Sequence, residues 1–517
     1  MLNHRSVLSK SSGCWKHGLS FLELFQPASG WRNIEKSSYK ANSASIHNSV
    51  KLKETTVISK LETSNNKEQT IGQIDFTNYD FRNAFGFWST GEIFRSYLVF
   101  TLCSYPSFVN NSMKLMTYGK NILGKRIFEG LMRKTFYGQF VGGRTESEFL
   151  LTARQLTEVG IGPLLAVPME EDATGNQTSD NWYDENANVI QRCIKFCATM
   201  NNNYPMMQLK ITAVVPADIC ARLSVAFPET SATHETVKDI ARVFLEGIEY
   251  HHHSLSSFET ESLNRGLMRL KAIAECAIQH GVLVLVDAEY TYLNPALNLL
   301  TLAMVMQYNR CRPIISYTYQ NYLKSAFHTL KKDAELISSD GLCFGAKLVR
   351  GAYMEKERHL AAKKGYPDPV HETFEATSSM YHQSLFYLLD FVKGSKKMGF
   401  VMVASHNEQT IKKAIGRMHD LGLNPKEGNV FFGQVYGMCD YISAVLGQNG
   451  YLVYKSIPYG SIDATLPYLH RRAMENKAVV GSTRRDREIA REALTQRLQQ
   501  KILPTRLHKS DTTHPQK

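Results

Sequence analysis

From about residue 160 the chain repeats one unit eight times: a short apolar run followed by a longer amphipathic stretch. The runs are Ile161–Val167, Met207–Val215, Val282–Tyr290, Pro313–Gln320, Cys343–Tyr353, Gly399–Asn407, Asn429–Gly437 and Tyr451–Gly460. The stretches between them carry helical periodicity; in Glu408–Leu421 the residues Ile411, Ala414, Ile415 and Met418 fall on one side. Strands alternating with helices form a parallel sheet, and eight repeats predict a closed (β/α)₈ barrel of the α/β class. A doubly wound open sheet is the alternative arrangement of the same elements. The second and third runs are widely separated, which predicts a helical insertion over about 217–280 within a barrel domain spanning 156–505. Residues 76–155 read as an N-terminal helical region, because Phe81 to Phe136 is apolar with helical spacing. Such a layer packs on something larger or rests on a membrane surface. Residues 506–517 read as a tail.

The composition narrows the partners. With 43% hydrophobic residues in 517 there is ample material for a large core. The net charge is +12, but Lys and Arg are interspersed with Asp and Glu. That pattern suits an anionic small molecule or an acidic membrane surface, and excludes nucleic acid as the expected partner. Nine scattered cysteines form no CxxC pair and no zinc-ligand spacing, which points to a reducing compartment and no metal site. Cys193 and Cys197, four apart, are expected as a reduced buried helical pair. His251-His252-His253 reads as a polar loop between helices. Residues 1–75 read as a targeting segment and linker. Arg5, Lys10, Lys16, Arg32, Lys36 and Lys40 mix with serines there, and no acid precedes Glu23. That is the composition of a mitochondrial transit peptide.

Side chains at strand C-terminal ends surround the active site of a parallel barrel, so polar residues in those runs are the candidates. Lys210 and Asp287 lie in otherwise apolar runs, where a charge is costly unless paired, and are expected to pair with each other. Gln320 ends the fourth run. The fifth carries Lys347 and Arg350, with Gly351 where backbone can approach a ligand closely. Ser405-His406-Asn407 ends the sixth. No GxGxxG or GxxxxGK[ST] loop is present, so any nucleotide cofactor must be held at the barrel mouth.

After the eighth run comes Tyr468-Leu469-His470-Arg471-Arg472-Ala473-Met474-Glu475-Asn476. On a helix Tyr468, Arg471 and Glu475 share one face, and Arg472 lies about 100° round. Two guanidiniums can then grip one anion from two sides, with an aromatic plate beside it. This describes a pocket for a small amino or imino acid. A solvated helix would carry the same Glu–Arg pair, and the strand-end polar groups favour the pocket.

The runs Val286-Asp287-Ala288-Glu289, Lys347-Leu348-Val349-Arg350-Gly351-Ala352-Tyr353 and Ala404-Ser405-His406-Asn407, followed by Tyr468, Arg471, Arg472, Glu475 and Asn476, resemble the proline dehydrogenase family. The likeness extends from about Phe81 to Glu492. It implies a distorted barrel with FAD at its mouth, in the mitochondrion, peripherally associated with the inner membrane and passing electrons to ubiquinone. By position, Asp287 and Lys347 resemble catalytic residues. Lys210, Arg471, Arg472 and Glu475 resemble substrate contacts, and Tyr353 and Tyr468 resemble walls of the substrate site. Ala288, Gln320, Arg350, Gly351, Ala352, Ser405 and His406 resemble FAD contacts. Family members acting on proline typically carry tyrosine twelve residues before the position of Tyr468. This chain has Ser456, which resembles the branch acting on trans-4-hydroxy-L-proline; a permissive proline enzyme is the alternative. Read from the residues alone, a barrel with Lys210 or Lys347 is also compatible with a Schiff-base aldolase, which would lack flavin colour.

Overall fold

The eight runs become eight strands, closed in chain order: β1 (Ile161–Ala166), β2 (Met206–Leu209), β3 (Leu283–Val286), β4 (Ile315–Gln320), β5 (Phe344–Val349), β6 (Gly399–Ala404), β7 (Val430–Val435) and β8 (Val453–Pro458). Every neighbouring pair is parallel, and β1 pairs with β8 from Ile161↔Val453 to Ala166↔Pro458, so the sheet is a barrel and not an open sheet. The structure, a computed structural model, describes residues 88–167, 180–200, 202–228, 233–395, 399–478 and 480–502. The expected targeting segment and the tail lie outside the described residues.

The strands are shorter than the apolar runs that announce them, and most of the excess falls at the C-terminal ends, although β4 ends with its run at Gln320. β2 stops at Leu209, so Lys210 is not a strand residue; it leads into the 3₁₀ turn Ile211–Ala213. β3 stops at Val286, although the Asp287 amide still donates to the Leu209 carbonyl at 2.8 Å. The polar ends of the runs thus belong to the barrel mouth.

The opposite end is plugged by aromatic rings near the strand starts. Phe431 contacts Tyr204, Phe400 and Tyr454 edge-on, with centroids 5.3, 5.5 and 5.7 Å apart. Phe400 and Phe431 are buried, each contributing roughly 1.5–3 kcal/mol. Gly345 is required beside them, since a Cβ there would lie 2.5 Å from the Phe400 ring. A closed floor leaves the mouth as the face where a ligand enters.

Three helices fill the predicted insertion: Ala217–Ala226, His234–Glu246 and Ser257–His280. The last begins with a capping box in which Ser256 and Glu259 satisfy each other's backbone amides. It packs on Asp180–Ala198, where buried Arg269 pairs with Asp184 at 2.6 Å and Asp180 at 3.2 Å. Cys193 and Cys197 are buried free thiols on Asp180–Ala198, and His251–His253 lie in the loop between two insertion helices.

Before β1 come helices Thr90–Cys103, Pro106–Asn110, Ser112–Lys134, Phe136–Phe140 and Glu146–Thr157. The last packs on β1. The others form a second apolar cluster, in which Phe100, Met116, Phe128, Met132 and Phe140 meet Leu469 and Ala473 of helix Ile462–Ala478. The C-terminal helix Val480–Ile502 packs against Thr90–Cys103 through Ala490 and Ala493 on Ile93. The N-terminal layer therefore backs the helix that follows β8, and that helix faces the mouth.

Candidate active site

A cavity of about 950 Å³ opens at the C-terminal ends of the strands, near the upper end of the size of small-molecule sites, about 300–1,000 Å³. Lys210, Asp287, Ala288, Gln320, Lys347, Arg350, Gly351, Ala352, Tyr353, Ser405, His406, Ser456, Tyr468, Arg471 and Arg472 all line it. Glu475 lies on the same helix as Arg471 and Arg472, and its side chain is outside the described residues. Six strand ends and one helix thus bring together twelve of the positions singled out in the strand runs, with Tyr468, Arg471 and Arg472 of the helix.

The expected Lys210–Asp287 pair is corrected. Asp287 Oδ1 accepts from Lys347 Nζ at 2.5 Å, with the lysine side chain only 4% exposed. Sequence proximity in an apolar run shows that a charge needs a partner but not which one. The barrel register decides it: Tyr317 pairs with Ala346 on one side of β4 and with Val286 on the other, so β3 and β5 flank the same strand. A lysine this buried needs its carboxylate partner, and removing either member would strand the other.

Arg350 is held rigidly. Its Nη1 donates to Ser405 Oγ at 2.7 Å and its Nη2 to Thr410 Oγ1 at 2.9 Å, while its guanidinium lies 5.0 Å from the Tyr381 ring. Burial pushes its pKa down, opposed by Tyr381. Among the described residues its buried Nε has no hydrogen-bond partner. A preorganised cation with a spare buried donor, on a cavity that also presents Lys210, Lys347, Arg471, Arg472 and Arg485, is fitted to an anionic group.

His406 is an uncharged member of this wall. Its Nε2 accepts from the Val435 amide at 2.9 Å, so the ring proton sits on Nδ1. Burial, then Lys455, Arg472 and Arg350, push its pKa down to about 3. The ring therefore offers a hydrogen-bond donor without adding another charge.

Gly351, which lines the cavity, is also required by the fold itself. It has φ +135°, and a Cβ there would fall on the Tyr322 ring. The close approach is to a side chain of the protein itself, which fixes the turn after β5. Gln320 likewise serves its surroundings: it donates to the Glu289 carbonyl at 3.1 Å and accepts from Asn294 Nδ2 at 3.0 Å, fixing the turn after β3. The Tyr353 ring packs against Tyr290 with centroids 4.5 Å apart and planes tilted by 39°, and burial raises its hydroxyl pKa.

On helix Ile462–Ala478 the stacked pair is Tyr468 with Arg472, the guanidinium 4.9 Å from the ring, four residues apart. Arg471 lines the same cavity, so both forks face one space. Across the mouth, Ser456 Oγ donates to Gln208 Oε1 at 3.1 Å. Gln208 is one of the residues that sequence reasoning missed, with Thr318, Phe374, Met402, Gln434, Tyr441 and Arg485. A single polar residue within β2 was the available signal for Gln208. Phe374 opens the helix Phe374–Gly394 between β5 and β6, and Arg485 comes from the helix Val480–Ile502 after β8; neither gave a signal at a strand end.

The chain matches the family model described as proline dehydrogenase over residues 150–485. It is 44% identical over 430 residues to hydroxyproline dehydrogenase of Xenopus laevis, covering 83% of this chain and 91% of the relative. It is 39% identical to the human protein of that name, covering 81% and 93%. It is 32% identical to human "Proline dehydrogenase 1, mitochondrial", covering 83% and 90%. Among solved structures it resembles proline utilization A from Bdellovibrio bacteriovorus, with a TM-score of 0.54 at 18% identity. That likeness covers 80% of this chain and 40% of the longer one, and concerns the fold.

Proposed function

This chain belongs to the proline dehydrogenase family, and from that premise we propose that it oxidises trans-4-hydroxy-L-proline to 1-pyrroline-3-hydroxy-5-carboxylate, using FAD and delivering electrons to ubiquinone. It is an oxidoreductase acting on a CH–NH group, which removes the Schiff-base aldolase as a reading. The single observation that carries the substrate assignment is Ser456, hydrogen-bonded to Gln208 on the wall of the cavity that Arg471 and Arg472 also line. A ring hydroxyl needs polar partners and room, and this pair supplies both. The greater identity to relatives named for hydroxyproline supports the same branch.

The residues divide the work. Arg471 and Arg472, with Lys210 as a third cation, hold the substrate carboxylate and so fix which ring carbon faces the cofactor. Tyr468 and Tyr353 enclose the ring. Asp287 holds the Lys347 side chain in place beside the reacting region. The fit of FAD to the mouth rests on the spare Arg350 Nε, the neutral His406 donor and the excess of cations. Arg350, Ser405 and His406 would hold it, and Ala288, Gln320, Gly351 and Ala352 would form its bed. When bound, FAD supplies an acceptor for the hydride leaving the carbon next to nitrogen. The amine's N–H proton leaves to solvent at the open mouth as the C=N bond forms. Cations around that acceptor stabilise the negative charge gained on reduction. We place the protein in the mitochondrion, peripherally on the inner membrane, in keeping with the composition of residues 1–40 and the "mitochondrial" names of relatives.

Side-by-side steady-state assays with L-proline and trans-4-hydroxy-L-proline test the substrate; a higher kcat/KM for proline would overturn the branch. The flavin is expected to be non-covalent, because no Cys or His lies in an attachment motif. Acid precipitation should therefore release all yellow colour into the supernatant, and colour retained by the pellet would refute this.

A further inference from the structure

Helix Ser112–Lys134 buries one face and leaves the other bare. Met116, Phe128 and Met132 pack into the N-terminal cluster. On the other side Leu115, Tyr118, Ile122, Ile127 and Leu131 are exposed, Ile122 to 80% and Ile127 to 65%. Their spacing of three and four residues, renewed after a break at Gly124 (φ 71°, ψ 160°), makes a stripe along two short helical segments. Contiguous exposed apolar side chains of this size mark an interaction surface and not ordinary solvated protein.

The charges on the same helix identify the partner. It carries six basic residues and one acid, Glu129, and Lys114, Lys125, Arg126 and Lys134 are exposed beside the apolar stripe. Long basic side chains flanking an apolar stripe bury their stems and keep their heads at an anionic surface. An amphipathic helix of this kind lies in the interface of a bilayer with anionic lipid. Among the described residues no helix is long and apolar enough to cross a membrane.

We infer that the outer face of helix Ser112–Lys134 is the membrane-docking surface of this protein, recognising an anionic bilayer. This rests on the peripheral association proposed above and assigns it to particular residues. The face is joined to the candidate active site at close range. Ser112 Oγ hydrogen-bonds His470 Nδ1 at 2.7 Å, and Lys120 pairs with Asp463 at 2.7 Å, both partners being on the helix that bears Arg471 and Arg472. Docking there places the mouth helix one layer from the bilayer, where a lipid-soluble electron acceptor resides.

The test is cosedimentation of the full chain with phosphatidylcholine vesicles, with and without phosphatidylglycerol. Wild type should pellet with the anionic vesicles and much less with the neutral ones. The double variants Ile122→Asp/Ile127→Asp and Lys125→Glu/Arg126→Glu should each weaken binding roughly tenfold or more. Their dehydrogenase activity with a soluble dye as acceptor should be unchanged, which shows that they are folded. Vesicle binding by wild type that survives both variants would overturn the assigned face while leaving peripheral association intact. Absence of binding by wild type would overturn both. Loss of a dimer in sedimentation velocity, with vesicle binding unaffected, would make the face a contact between copies of this chain and overturn the inference.

Discussion

Replacing Arg471 or Arg472 by alanine is expected to lower kcat/KM for the imino acid substrate while the protein stays folded and yellow. Each guanidinium lines the cavity, so on the proposed carboxylate grip each alanine would remove one charge-assisted contact. Such a contact is worth roughly 1.5–3 kcal/mol, or about ten- to a hundredfold in kcat/KM. Stability should change little, because the helix is anchored by other residues. Leu469 and Ala473 are buried against the N-terminal layer, and neither substitution touches that packing. The two positions should differ when lysine replaces arginine. Arg472 stacks 4.9 Å from the Tyr468 ring, and a lysine there loses both the planar stacking and the fork. Arg472→Lys should therefore remain impaired even though the charge is kept. Kinetics measured together with flavin absorbance per chain and thermal midpoint separate substrate binding from folding. Unchanged kinetics at normal flavin content would show that this helix is not the substrate clamp.

That the helix could be singled out from sequence reflects how local its signal is. Tyr468, Arg471 and Arg472 lie within two turns, so helical geometry alone brings them together. The strands were equally visible, since eight buried parallel strands read as near-continuous apolar runs. What sequence could not supply was the pairing of groups from different strands. Asp287 and Lys347 are sixty positions apart and meet only because the barrel register places β3 and β5 beside β4. Gln208 and Ser456 are 248 positions apart and meet across the closure of β8 on β1 and β1 on β2. Gly351 shows a subtler gap: its need for glycine was visible, but the obstructing ring of Tyr322 was not. Buried Lys455, paired with Asp440 at 2.8 Å, was hidden for the same reason, because its partner comes from the helix before β8. Local periodicity specified the elements, and tertiary closure specified the chemistry.

The pair across the barrel closure carries the second large expectation. Ser456→Tyr should swing preference away from hydroxyproline and towards proline. The serine hydroxyl is already oriented by Gln208 Oε1 at 3.1 Å, on a wall that this reading assigns to the substrate ring. A phenol at this position breaks that bond and fills the space beside the ring. Overpacking of this kind costs about 1–3 kcal/mol. The cost falls on the substrate whose ring carries a hydroxyl, because proline has nothing at that carbon to collide. The ratio of kcat/KM for the two substrates should therefore move by about five- to a hundredfold towards proline, with each 1.4 kcal/mol counting as a factor of ten. Ser456→Ala is the control, since it removes the hydroxyl without adding bulk. It should weaken hydroxyproline use and leave proline use near wild type, so the two variants distinguish a lost polar contact from a filled pocket. A ratio that stays constant in Ser456→Tyr, or shifts towards hydroxyproline, would mean that the Ser456–Gln208 wall does not read the ring substituent.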